Sequence, residues 1–403
     1  MTETAPFILF RDDAADTTLV FAKPVEIVTV WTPEDFERGF ARLQAAHERG
    51  LWIAGLMAYE AGHLFEAKLA PLAKGGRETP LFSFGLFERP LTDHPLATPR
   101  QRVENEPFLA EPHAAWDLAA YRRRFDRLHR HLAEGDCYQA NLTMPITARW
   151  SGDPLAAFWS LTARQPVRYG AFVALEGPMV LSRSPELFFK VDAQGMIETH
   201  PMKGTARRGA SAAEDEAIVA ALVDDPKTQA ENRMIVDLLR NDISRITEVG
   251  TLEVPALFAV ETYPTVHQLV SHVRAKLVPG LTLRDIFAAL FPCGSVTGAP
   301  KMRAMEILAT LEVGPREAYC GAIGWIAPDG TMRFNVAIRT ITLFDDGLAR
   351  FHVGGGIVFD STAEAEYEEC LLKARFALGD SPIAALSPDT APDTGPDTGG
   401  DAP

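Results

Sequence analysis

Four cysteines, Cys137, Cys293, Cys320 and Cys370, are spread through 403 residues and match neither a zinc-binding spacing nor a small disulfide scaffold. The opening Met1-Thr2-Glu3-Thr4 lacks a basic stretch followed by an apolar one, and no apolar run approaches membrane-spanning length. These absences lead us to expect a chain of the reducing cytoplasm that makes no use of a membrane. Positive charge is scarce too: 39 basic against 54 acidic residues leave a net charge of -15, which argues against a nucleic-acid surface. A small anionic substrate stays possible, because local arginines and a metal ion can reverse the field inside one cleft. No Gly-x-Cys-x-Gly elbow is present, so the chain holds no glutaminase nucleophile of its own.

What the chain does have is the composition of an ordinary globular protein, 47% apolar and 23% charged, long enough for a large core. Residues 1–115 mix short apolar runs with one helical pattern from Pro33 to Ala46, and read as an amino-terminal segment integrated with the core. A catalytic region of residues 116–380 follows. It has a helix over Trp116–Glu134, a strand pattern through Arg149, and strands over 168–200 separated by Gly177 and by Asp192–Gly195. Helices are expected over about 212–223 and 227–243, parted at Asp224-Asp225-Pro226, and a third after Pro300. Strands over 319–327, 332–344 and 349–359 precede a last helix over 362–377. The connections are too short for crossover helices, so we expect an α+β fold with mixed, mainly antiparallel sheets packed face to face and helices outside. Residues 386–403 repeat Pro-Asp-Thr and read as a disordered tail or linker stub.

Several residues stand out as chemistry. Lys203, in Pro201-Met202-Lys203-Gly204-Thr205, is either a solvated lysine or, if burial or a neighbouring cation lowers its pKa, a nitrogen nucleophile. In the last helix Ser361-Thr362-Ala363-Glu364 resembles a capping box, and Glu366 and Glu369 share one face with Lys373 near the end. The two glutamates form either a solvated acidic face or, with Glu231 from another helix, a set of hard oxygen ligands for magnesium. Asp237, Arg240 and Asp242 read as a structural ion-pair network. The segment from Gly294 through Thr297 to Lys301 could offer backbone amides to a carboxylate at a helix start. Arg339, on a strand-like run, either clamps a carboxylate or makes a salt bridge, and Tyr319 either donates a hydrogen bond or packs.

From about residue 120 to 377 the chain resembles the chorismate-utilising enzymes, which include anthranilate, isochorismate, salicylate and aminodeoxychorismate synthases. The resemblance rests on Tyr138-Gln-Ala-Asn-Leu-Thr143, Ser184-Pro-Glu186, Lys203-Gly-Thr205, the helix of Glu231, Thr297-Gly-Ala-Pro-Lys301 and the terminal glutamates, in order and spacing. Members that add water carry a lysine where this chain has Gln139, and glutamine cannot act as that base. Anthranilate synthases usually have alanine at the Lys203 position, whereas the aminodeoxychorismate branch has lysine, so the pattern is nearest to that branch, with anthranilate synthase or an inactive scaffold as alternatives.

The resemblance implies a double displacement on chorismate. Lys203 attacks carbon 2 as the 4-hydroxyl leaves, ammonia attacks carbon 4, and the lysine is expelled to give 4-amino-4-deoxychorismate. It further implies magnesium held by Glu231, Glu366 and Glu369, with Glu186 as general acid and base and His267 near the 4-hydroxyl. Substrate contacts are implied for Gln139, Gly204, Thr205, Thr297, Tyr319, Arg339, Gly354, Gly355, Gly356 and Lys373. Thr228 stands where relatives often place an acidic residue near the metal. Implied partners are a separate glutamine amidotransferase that supplies ammonia and a downstream pyridoxal-phosphate lyase that yields 4-aminobenzoate for folate synthesis.

Overall fold

Pairing along β7 (Gln139–Trp150) sets the frame: its alternate residues Ala140, Leu142, Met144, Ile146 and Ala148 are all buried in one core. The computed structural model describes residues 5–73, 75–100, 108–263 and 266–385. The tail expected over 386–403 lies outside the described residues. Two ten-stranded sheets form the body. In spatial order the first contains β2 (Thr17–Ala22), β1 (Phe7–Asp12), β8 (Tyr169–Ala174), β9 (Met179–Ser184), β18 (Thr340–Leu343), β19 (Leu348–Ile357), β7, β6 (Leu109–Ala114) and β20 (Ala384–Ala385), with β15 (Gly298–Ala299) also on β7. The second contains β12 (Met202–Arg207), β14 (Val266–Lys276), β11 (Met196–Thr199), β10 (Leu187–Val191), β17 (Met332–Val336), β16 (Ala322–Ile326), β4 (Trp52–Met57), β5 (Phe82–Phe87) and β3 (Glu26–Val30), with β13 (Glu253–Thr262) also on β14. Except for β20 against β6, the described pairings are antiparallel.

Three apolar cores explain the layering. One joins Ile8, Ala171 and Val180 of the first sheet to Ala54, Leu56 and Ile323 of the second, so the sheets face each other. Outside the first sheet lie α2 (Leu118–Ala133), α3 (Pro154–Arg164), α7 (Lys301–Leu311) and α8 (Ala363–Leu378). Outside the second lie α1 (Phe36–Glu48), α5 (Pro226–Ser244) and α6 (Leu283–Leu290), while α4 (Ala212–Asp224) rests on β12 to β14. Strands of the first 115 residues enter both sheets.

Local signals account for most boundaries. Asp225 accepts from the amide of Thr228 at 2.8 Å and Pro226 opens α5, which is why the chain breaks where Asp224-Asp225-Pro226 stands. The last helix starts where expected, but without the expected capping box. Thr362 is the cap, Ser361 donates to Glu366 at 2.7 Å, and Glu364 turns outward to Arg122. The strand-like run 332–344 is two strands in different sheets. Arg339, at φ 50°, sits in the crossing between β17 and β18, where the apolar pattern continues because both strands are buried.

Candidate active site

Lys203 comes in on β12, where the pairing with β14 shifts register between Met202 and Thr205. It is half-buried, with protein packed closely around its amine. Burial pushes its amine below the usual lysine value; Glu231 opposes this, Lys373 adds to it, and Glu186 and Glu369 oppose it. Facing it is the first sheet. A methyl group on Gly356 would lie 2.7 Å from Nε2 of Gln139 and 3.2 Å from Nζ of Lys203, so the glycine leaves space that both side-chain ends approach. Gln139 is wholly buried and neither of its amide atoms has a hydrogen-bond partner. A buried amide without partners among the described residues is costly to keep.

Glu186 closes another side from the turn between β9 and β10. Ser295 donates to its Oε1 at 2.6 Å. Burial raises its carboxyl; the Ser295 hydrogen bond and the charges of Lys203, Lys373 and Arg339 hold that rise back. Ser295 is the residue that sequence reading missed, because a serine in a turn carries no spacing signal. Its neighbour Thr297 spends its hydroxyl on the carbonyls of Cys293 and Gly294 at 3.2 Å, and its own carbonyl accepts from Asn141 at 2.9 Å. Much of this segment's polarity is therefore structural. Arg339 is enclosed, burial lowers its pKa, and Glu186 restores part of it. Among the described residues no carboxylate lies within ion-pair distance of Arg339, and the charge of Glu186 acts on it from farther off. Tyr319 is buried and stacked on His352 at 5.3 Å; burial keeps its phenol protonated and able to donate.

Glu366 and Glu369 project from α8 toward the glycine segment of β19. A methyl group on Gly355 would lie 2.9 Å from Oε2 of Glu366, 3.7 Å from Nζ of Lys373 and 3.9 Å from Oε1 of Glu369. Burial raises the Glu366 carboxyl, Ser361 offsets some of this, and the charge of Glu369 raises it again. Burial also opposes ionisation of Glu369, but Lys373, at 2.7 Å, outweighs it and holds that carboxyl low. Lys373 also donates to the carbonyl of Gly354 at 2.7 Å. Glu231, on α5, lies 4.0 Å from Lys227, whose charge also reaches Glu366 and Glu369. Glu231 does not form a group of three with them within 4.8 Å. The two converging carboxylates of α8 are oxygen donors of the kind that suits a hard divalent cation.

Gly204 and Thr205 follow Lys203 on the same strand, with Gly204 against Thr228 at the start of α5. His267, Asp237 and Asp242 each have partners of their own. His267 is buried on β14, with Nε2 2.8 Å from Asp215 and Nδ1 3.0 Å from Thr262, and Asp215 also receives Arg208 at 2.7 Å. It ties α4 to the sheet. Asp237 pairs with Arg240 as expected, but Asp242 does not join them: it binds Lys301 at 2.6 Å, because its side of α5 faces the buried start of α7.

A family model described as chorismate binding enzyme matches residues 5–379. Component 1 of aminodeoxychorismate synthase from Klebsiella aerogenes is 46% identical over 249 residues, covering 62% of this chain and 55% of that protein. Its counterpart from Escherichia coli K12 is 39% identical over 337 residues, covering 78% of this chain and 73% of that protein. The crystal structure of anthranilate synthase component I from Streptococcus pneumoniae TIGR4 superposes with a TM-score of 0.76 at 25% identity, covering 93% of this chain and 92% of that one.

Proposed function

The chain belongs to the chorismate-binding enzymes, and we propose that it catalyses the aminodeoxychorismate synthase component 1 reaction, chorismate plus ammonia to 4-amino-4-deoxychorismate and water. The observation that carries this reading is Lys203, enclosed, with a lowered pKa, beside the partnerless amide of Gln139. Its neutral amine attacks carbon 2 of chorismate, the ring double bond shifts, and the 4-hydroxyl departs as water with a proton from Glu186. Ammonia then adds at carbon 4, the double bond returns, and the carbon–nitrogen bond to Lys203 breaks. Arg339, which has no ion-pair partner among the described residues, and the Tyr319 hydroxyl receive the enolpyruvyl carboxylate. Gln139 hydrogen-bonds the substrate where a water-activating base would otherwise stand.

Magnesium, held by Glu366, Glu369 and Glu231, would neutralise the ring carboxylate when bound. Ammonia comes from a glutamine amidotransferase subunit, and the product passes to a pyridoxal-phosphate lyase on the way to 4-aminobenzoate. The protein works in the cytoplasm. Anthranilate synthase chemistry is the second reading, favoured by the superposition on that enzyme and opposed by Lys203. Purified protein incubated with chorismate, magnesium and ammonium, with mass spectrometry of the products, separates the two. Aminodeoxychorismate without pyruvate, largely lost in Lys203→Ala, supports the proposal; anthranilate with pyruvate overturns it.

A further inference from the structure

A second convergent set of side chains lies on the strand pair that leads into Lys203, distinct from the groups around its amine. Thr199 pairs with Val273, so the next residue, His200, comes opposite His272, and Glu198 falls on the same face two residues earlier. The two imidazoles stack at 4.0 Å with their planes 7° apart. Nε2 of His200 contacts Oε1 of Glu198, and Nδ1 of His272 lies 3.9 Å from that same oxygen. One ligand atom from each of the three residues lies within 4.8 Å of the other two.

The surroundings orient this set. Lys190 sits 3.1 Å from Oε2 of Glu198 and leaves Oε1 to the histidines. The Tyr263 hydroxyl donates to Oε2 of Glu261 at 2.6 Å, leaving Oε1 of Glu261 3.9 Å from Nε2 of His272. Carboxylate oxygens thus flank both ring nitrogens of His272 at 3.9 Å, so an ion bound beside Glu198 would take the Nδ1 lone pair and leave the Nε2 proton to Glu261. The same arrangement fixes the tautomer of metal-ligating histidines. Arg274, the nearby guanidinium, is engaged by Glu253 at 2.6 Å and stays out of the group.

We propose that Glu198, His200 and His272 form a second, zinc-type metal site, with Oε1, Nε2 and Nδ1 as the respective ligands and water completing the coordination. Two imidazoles and one carboxylate suit zinc and not magnesium. Zinc bonds of about 2.0–2.2 Å place ligand atoms roughly 3.4 Å apart, so the two stacked rings must swing out of parallel to aim both lone pairs at one ion. The ion ties β11 to β14 just ahead of Lys203 and stiffens that wall of the cleft.

The test uses full-length, metal-stripped protein kept in magnesium and titrated with Zn2+ by calorimetry and with Co2+ by visible absorption. One ion per chain in the micromolar range or tighter is expected, with a tetrahedral cobalt spectrum. Both signals should weaken roughly tenfold or more in His200→Gln and in His272→Ala, yet persist in Glu369→Ala. Binding that survives both histidine substitutions, disappears in Glu369→Ala, or stays millimolar overturns the site. If a histidine variant fails to fold, by circular dichroism, Glu198→Gln gives the same readout from a partly exposed position.

Discussion

Nζ of Lys203 and Nε2 of Gln139 converge on the space above Gly356, one from each sheet. Burial lowers the pKa of the amine, and among the described residues the amide has no hydrogen-bond partner. Both deficits are met by the same event, arrival of a polar substrate between the sheets.

The state of Lys203 predicts a pH profile. Its folded pKa is lowered, and only the neutral amine attacks, so kcat/KM should rise with pH through a value below the ordinary lysine range. Lys373 contributes to the lowering, so Lys373→Met should move this rising limb to higher pH. A profile unchanged in Lys373→Met would sink the assignment of the limb to Lys203.

Glu186 gives the opposite limb. As a proton donor it acts below its pKa, which burial raises and Ser295 restrains. Removing the hydroxyl in Ser295→Ala should raise the pKa further and shift the falling limb to higher pH. At pH 7 kcat should drop roughly tenfold, a fraction of what a general acid contributes, because the carboxyl loses its orientation. A lower kcat with the limb unmoved would mean that Ser295 serves packing alone.

The α8 carboxylates predict a metal requirement. Glu369→Ala should raise the magnesium concentration needed for half-maximal rate by about 100-fold, whereas Glu364→Ala, two residues before Glu366 on the same helix but turned to Arg122, should not. Rate measured against magnesium decides it; identical curves for both variants would remove Glu369 from the metal set.

How much of this was legible follows from the range of each signal. Glu366 and Glu369 could be paired because helix periodicity is local, and the break at Asp225-Pro226 because capping is local. Lys203 and Gln139 could be singled out, but not brought together, since they meet only through the packing of two sheets. Which face of β14 a residue takes is set by register, so the contact of His267 with Asp215 on α4 could not be read from the sequence. For β13 and β14 the sequence reading assigned no strands, and the long apolar run around Arg339 hid the point where the chain changes sheets.

Lys301 tests the structural side of the Thr297–Lys301 motif. Its ammonium is the ion-pair partner of Asp242, and both are nearly enclosed. Burial already raises the Asp242 carboxyl, and Lys301 is what holds it back. Lys301→Met should cost about 3–5 kcal/mol in urea unfolding at pH 8, less at pH 5 where Asp242 can take up a proton. Adding Asp242→Asn should recover much of the loss; no recovery would place the defect in packing instead.

Glu60 makes the strongest claim about stability. It is buried, accepts from the amides of Arg316 at 2.7 Å and Glu317 at 3.1 Å, and burial pushes its carboxyl from 4.5 up to about 7. Between those two values the folded chain holds a proton that the unfolded chain has released. Its contribution to stability is therefore complete below the unfolded value and lost as pH rises to about 7. Glu60→Gln carries no titrating proton, so its stability relative to the parent should improve from pH 5 to pH 8 by at most ~3 kcal/mol, even if loss of an acceptor makes it the weaker protein at pH 5. Urea midpoints for both proteins at pH 5, 6, 7 and 8 measure the difference. Parallel curves would mean that the two backbone donors keep Glu60 ionised throughout, and that burial there costs less than the enclosed geometry implies.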